Sequence, residues 1–230
     1  MKYKPDLILY LGDLTYSGKA NDIRTTFLSK EARKVFSEIP FITAFGNHDI
    51  SGGDFSVFFE VPQNGDSLTY YSLDIGRNHF LVLNTQKSLK PDSRQYSFAK
   101  EDLASTMQKW RFVLMHKPIA DENGVPLNRD MLRLADSVFI WHKVDFILSG
   151  HIHLYSRSIF KGVESFILGG GGGTLKKEAK TKENENADKP DNPISTYHFA
   201  IFETDVYTTY VRIFDSEGLM IYNDEVTPYF

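Results

Sequence analysis

The chain predicts an α/β fold, and three observations carry that expectation. Short, continuous apolar runs at 6–11, 41–45, 110–115 and 144–148 read as buried strands. Between most of them lie stretches with apolar residues three and four apart, which read as helices. From residue 156 onward, strand patterns follow one another across turn signals. Strands that alternate with helices in this way belong to an α/β unit.

The elements follow in order. Residues 6–11 (Asp-Leu-Ile-Leu-Tyr-Leu) are expected to be a strand, and 22–37 a helix with Asn21 or Asp22 as its cap. A second buried strand at 41–45 ends at Gly46. Residues 69–74 and 79–84 flank Gly76-Arg77-Asn78 and read as a hairpin. Tyr96, Ala99, Leu103 and Met107 set a helix over 93–108, and Met131, Leu132, Ala135, Val138 and Phe139 another over 128–142. The strands at 110–115 and 144–148 are followed by strands at 156–160, 165–168, 197–203, 207–214 and 219–222. Residues 169–173 are five glycines, which permit unusual backbone geometry or close approach of another segment. Residues 174–193 are polar and charged without apolar periodicity and are expected to form a mobile surface loop.

Bulk composition narrows the classes. A chain of 230 residues is expected to be one domain spanning 1–230, long enough for a substantial core. A net charge of -4 gives no electrostatic reason to expect nucleic acid or an anionic membrane as partner. No apolar run approaches the length of a membrane-spanning helix, and Met1 to Pro5 carry no leader pattern. Cysteine is absent, so a metal would have to be held by imidazole, carboxylate, amide or phenolate. Those ligands suit zinc, iron or manganese.

Four clusters of such ligands sit where strand patterns stop. They are Gly12-Asp13-Leu14-Thr15-Tyr16, Gly46-Asn47-His48-Asp49, His116 with Lys117 after it, and Gly150-His151-Ile152-His153. Side chains at the ends of neighbouring strands converge on one rim of a sheet, so residues distant in sequence can build one site. Two ions about 3.5–4 Å apart can clamp both ends of an in-line phosphoryl transfer. Such a site needs a bridging carboxylate, which Asp13 suits, and a neutral oxygen ligand, which Asn47 suits. His116, His151 and His153 suit the imidazoles. On an extended segment, His151 and His153 would face one side and Ile152 the core.

In this order the clusters resemble the calcineurin-like metallophosphoesterase superfamily, and within it the purple acid phosphatase branch. The family pattern is D-x-G, G-D-x-x-Y, G-N-H-[DE], V-x-x-H, G-H-x-H, and all but the first element is present. Tyr16 carries the branch likeness, with Gln95-Tyr96, Tyr155 and Arg157 beside it. The resemblance implies a four-layer α/β/β/α sandwich of two mixed sheets with the site at one rim. It implies that Asp13 bridges, that Tyr16 and His153 hold a ferric-type metal, and that Asn47, His116 and His151 hold a divalent one. His48 would face the leaving oxygen, Asp49 would order the loop or the His48 ring, and Asn47, His48 and Lys117 would meet the substrate. The implied reaction is hydrolysis of phosphate monoesters of small molecules by a metal-bound hydroxide, with iron plus zinc, manganese or iron as metals. A phosphodiesterase and a non-catalytic metal-binding scaffold are the alternatives.

The D-x-G element lies in the family on a strand and helix before the Gly-Asp strand. The chain as it begins leaves no room for them, and Asp6 is at the wrong end of its strand to substitute. The expectation is therefore an N-terminally shortened chain, with an exposed ladder edge beside 6–11 and as few as one metal. The family likeness favours an exported protein. His79 and His198 read as ordinary sheet histidines, His142 as a satisfied, partly buried ring, and Asp121, Glu122 and Asn123 as a loop at the site's rim.

Overall fold

The structure is a computed structural model that describes residues 3–62, 69–177 and 193–228. Its centre is a six-stranded sheet. The strands are β3 (Tyr71–Ile75), β4 (Asn78–Leu83), β5 (Trp110–Met115), β6 (Phe146–Ser149), β7 (Tyr155–Phe160) and β8 (Val163–Leu168), in the spatial order β3-β4-β5-β6-β8-β7. The inner four, β4, β5, β6 and β8, run parallel, and antiparallel β3 and β7 close the two edges. Parallel strands buried on both faces are expected to be apolar throughout. Phe112 and Leu114 of β5 accordingly enter one core, and Val113 and Met115 the other.

The second of these cores lies under helices α5 (Arg94–Ser105) and α6 (Arg129–Leu134). Ser93 Oγ accepts the Tyr96 N–H and caps α5, and Asn128 Oδ1 accepts from Asp130 and Met131 and caps α6. The expected single helix over 128–142 continues past α6 as one wide turn at Ala135–Phe139. Ala99, Leu103, Leu134 and Val138 pack here onto Leu81, Val113 and Ile147. Each fully buried leucine or valine contributes ~1.5–3 kcal/mol.

The other face of the sheet meets two pieces of sheet rather than one. Strands β1 (Ile8–Tyr10) and β2 (Phe41–Thr43) form a parallel pair. Strands β9 (His198–Thr204), β10 (Thr209–Asp215) and β11 (Met220–Val226) form an antiparallel meander. Phe202 of β9 stands edge-on to Phe112, Phe146 and Phe166 and seals this layer to the central sheet. Short helices α1 (Ala20–Asp22) and α2 (Lys30–Phe36) make the outer layer, with Phe27 and Phe36 packing against Phe41, and the one-turn α4 (Phe55–Phe58) sets Phe55 against Phe45. The helix expected over 22–37 is interrupted: the chain makes a wide turn at Ile23–Phe27, leaves helical geometry at Leu28, and restarts where Ser29 Oγ caps Ala32. The four layers are thus those the sequence leads one to expect, but the second sheet is split.

Between the pieces is an open slot. Among the strands of the described residues, β1 is hydrogen-bonded only to β2, and β9 only to β10. A cavity of about 1670 Å³ runs between their free edges, with Phe80, Phe112, Leu148 and Leu168 at its floor. Its upper end opens on Asp13, His116, His151 and His153. Most of the loop expected at 174–193 lies outside the described residues.

Candidate metal centre

Three strand ends build the centre. β1 leads into Gly12 and Asp13, β5 into His116, and β6 into Gly150 and His151. One ligand atom from each of Asp13, His116 and His151 lies within 4.8 Å of the others. His116 Nε2 is 3.1 Å from Asp13 Oδ2 and 3.1 Å from His151 Nδ1.

The backbone is bent to achieve this. Asp13 (φ 54°) and His151 (φ 63°) occupy the left-handed region, which side-chain-bearing residues avoid. Each costs ~1–3 kcal/mol and persists only where surrounding structure enforces it, typically at functional sites. Close approach of the loops requires glycine: a Cβ on Gly46 would overlap the Asp13 carboxylate, and one on Gly12 would lie 2.7 Å from Gly46 N.

Asp49 is the fastening. It is fully buried in the short helix α3 (Asn47–Ser51), and its carboxylate accepts the N–H groups of Asp13 (2.7 Å), Leu14 (2.8 Å) and Gly46 (3.0 Å). Burial pushes its pKa above the usual carboxylate range, against the pull of those three donors. Asp49 thus ties the Asp13 and Gly46 loops together.

Protonation states suit metal binding. His116 Nδ1 donates to the Leu11 carbonyl at 2.8 Å, which leaves Nε2 free to face Asp13. His153 Nδ1 donates to the Thr174 carbonyl (2.7 Å) and His48 Nδ1 to the Tyr16 carbonyl (2.5 Å), so both present Nε2. Burial, then the charges of His116 and Lys117, push His151 down to about 4, which keeps its ring neutral. For Asp13, burial acts upward, but the bond to His116 and the His48 N–H outweigh it and hold the carboxyl below its ordinary range.

One orphan completes the test of fit. Asn47 Oδ1 is buried and has no hydrogen-bond partner among the described residues. Native buried polar atoms are nearly always satisfied, so this unsatisfied neutral oxygen, one residue before the His48 N–H that bonds the Asp13 carboxylate, fits an electropositive ligand.

Other expected residues fall differently. His151-Ile152-His153 is not extended: Ile152 N–H bonds the Gly150 carbonyl and Leu154 N–H the Ile152 carbonyl, each at 2.7 Å. The positive φ of His151 forces these tight turns, so His151 reaches Asp13's group while His153 is turned to Thr174. Ile152 still packs inward, against Leu154 and Ile167. Tyr16 is 84% exposed, with its ring against His48 at 5.3 Å between centroids. Lys117 N–H bonds Thr85 Oγ1, and its charge acts on His151. Gln95 and Arg157 are structural: Gln95 pairs with the Asn84 backbone, and Arg157 forks onto Glu164 with two bonds of 2.8 Å.

Comparison with known proteins agrees with this geometry. The calcineurin-like phosphoesterase family profile matches residues 1–155. Purple acid phosphatase 1 of Ipomoea batatas is 26% identical over 67% of this chain and 37% of its own length. "Phosphoenolpyruvate phosphatase" of Allium cepa is 26% identical over 69% of this chain and 37% of its own. "Probable inactive purple acid phosphatase 9" of Arabidopsis thaliana is 26% identical over 67% and 30%. The chain thus spans about a third of the length of these relatives. A purple acid phosphatase from yellow lupin (Lupinus luteus) seeds superposes with a TM-score of 0.80 at 20% identity, covering 96% of this chain and 46% of that one. With the profile covering more than half of its residues, the chain belongs to the calcineurin-like phosphoesterase family and is purple acid phosphatase-like within it.

Proposed function

We propose that the protein hydrolyses phosphate monoesters of small molecules at a dinuclear metal site. The observation that supports it most is the convergence of Asp13, His116 and His151 within 4.8 Å, each offering a lone pair. Asp13 is the bridge. Asn47, His116 and His151 hold one ion. Tyr16, whose ring is exposed, and His153 would hold the other. Iron paired with zinc, manganese or iron is the composition we favour, from the ligand types. When bound, the ions supply an activated nucleophile and neutralise charge on the phosphoryl oxygens.

The chain's own residues do the rest. His48 presents Nε2 from a ring fixed by the Tyr16 carbonyl, and serves the leaving oxygen as an acid or charge stabiliser. Asn47 and Lys117 orient the phosphate, and Asp49 keeps the Asp13 loop in place. One relative is named for acting on phosphoenolpyruvate, itself a monoester, which favours monoesters over diesters. No helix among the described residues is long and apolar enough to cross a membrane, and the family resemblance favours an exported location.

A second reading is a metal-binding scaffold without activity. It rests on the slot, whose volume of about 1670 Å³ exceeds the ~300–1,000 Å³ of an ordinary ligand pocket, and on a relative named as inactive. The metal-loaded chain assayed on p-nitrophenyl phosphate and bis-p-nitrophenyl phosphate tests both readings. Faster turnover of the first supports the proposal, faster turnover of the second favours a diesterase, and turnover of neither by metal-loaded protein favours the scaffold.

A further inference from the structure

Glu122 carries a carboxylate that is almost out of water although it sits in a surface turn: its side chain is 1% exposed. The turn explains this. Asp121 Oδ1 accepts the N–H groups of Asn123 and Val125, both at 2.9 Å, and Gly124 N–H bonds the Asp121 carbonyl with Gly124 at φ 77°. Closed this tightly, the turn points Glu122 inward. A carboxylate there needs a counter-charge, because leaving it buried and alone is costly. Lys176 Nζ supplies it, 2.5 Å from Oε1, while Oε2 is buried without a hydrogen-bond partner among the described residues.

The backbone around Lys176 is tied to the site. Lys176 N–H bonds the His153 carbonyl at 2.9 Å, and its own carbonyl accepts Ser195 Oγ. Two residues earlier, the Thr174 carbonyl takes the proton of His153 Nδ1. Gly173 abuts the ring so closely that a Cβ would overlap it. The strip follows a run of glycines that offers no side chains to hold it. Its position therefore depends on these few polar ties.

We propose that Glu122 is a positioning residue for His153, acting through Lys176. The pair pins the strip, the strip fixes the Thr174 carbonyl, and the carbonyl fixes which nitrogen of His153 carries the proton. The inference rests on the reading of His153 as a metal ligand. Partners that orient a ligating imidazole are worth about 10–100-fold in metal affinity.

The test uses the full chain with Glu122→Gln, Lys176→Met, both together, and Lys176→Arg. Lys176 is 43% exposed in its side chain, so its replacement opens no buried cavity, and the double variant removes the lone buried carboxylate that Lys176→Met alone would leave. Zinc affinity is measured by calorimetric titration, and the His153 tautomer of the metal-free protein by long-range proton–nitrogen correlation. Each single loss is expected to weaken zinc binding about tenfold to a hundredfold and to turn a single Nδ1–H tautomer into a mixture. The double variant should be no worse than either, and Lys176→Arg should restore both readouts. An unchanged tautomer with zinc affinity within about twofold of the parent protein would overturn the proposal. A His153→Ala control separates the two failures. Weakening by that change but not by Glu122→Gln overturns the positioning role alone, whereas no weakening by either overturns the ligand reading itself.

Discussion

The Asp49 carboxylate holds the backbone N–H of Asp13 at 2.7 Å, so an acid from the second ligand loop shapes the first. Asp13 is then free to hold a left-handed conformation that its own sequence would not choose. The same carboxylate takes the N–H of Gly46, and the two loops become one unit.

Asp49→Ala is expected to destabilise the fold by about 3 kcal/mol, because three buried N–H groups lose a charged acceptor. Asp49→Asn should cost nearly as much, since either oxygen position replaced by an amide nitrogen would confront a donor. Urea unfolding of both variants checks this; an asparagine variant as stable as the parent would show that charge and acceptor geometry matter little there.

Replacing His48 should separate chemistry from metal binding. With His48→Ala, kcat on p-nitrophenyl phosphate is expected to fall about 10²–10⁴-fold while metal content holds. Loss of metal along with rate would mean that His48 acts in assembly instead.

Much of this was legible in the sequence, for identifiable reasons. β5 and β6 are apolar on both faces, as strands of a covered parallel sheet are, and His116 and His151 stand where those runs end, as Asp13 does after the run that becomes β1. Local conformation was less legible. Nothing in His151-Ile152-His153 announces a positive φ at its first residue, since the tertiary contact with Asp13 and His116 imposes it. The helix break at Leu28 was equally hidden, because Ser29 is an ordinary helix residue until its hydroxyl caps Ala32. His79 read as an ordinary sheet histidine, yet it is clamped between Asp74 and Asp102 at 2.7 Å each; the partners come from a neighbouring strand and a helix, and no spacing in the sequence joins all three.

That clamp carries a pH dependence. Burial acts to lower the His79 pKa, but the hydrogen bonds its ring donates to Asp102 and Asp74 outweigh it and raise the value in the folded state. The stabilisation is therefore fully present below the unfolded value of about 6.5 and is lost as pH rises through the raised folded value. The melting-temperature gap between the parent protein and His79→Gln should be widest at acid pH and narrow at alkaline pH. A gap that widens with pH would contradict the assignment.

The slot between β1 and β9 has its own consequence. Two edges that pair with no further strand among the described residues, over an apolar floor of Phe80, Phe112 and Leu148, invite pairing with other chains. The isolated chain should bind a hydrophobic dye and self-associate as concentration rises, seen by sedimentation velocity. A dye-negative monomer throughout would show that the slot closes in solution.

The most direct test of the whole account is zinc per chain by elemental analysis after reconstitution and desalting, for the parent protein and for His116→Ala. The account predicts at least one zinc in the parent and loss of that zinc in the variant, because His116 Nε2 stands 3.1 Å from both Asp13 and His151. A parent protein that retains no zinc, or a variant that retains as much as the parent, would contradict it.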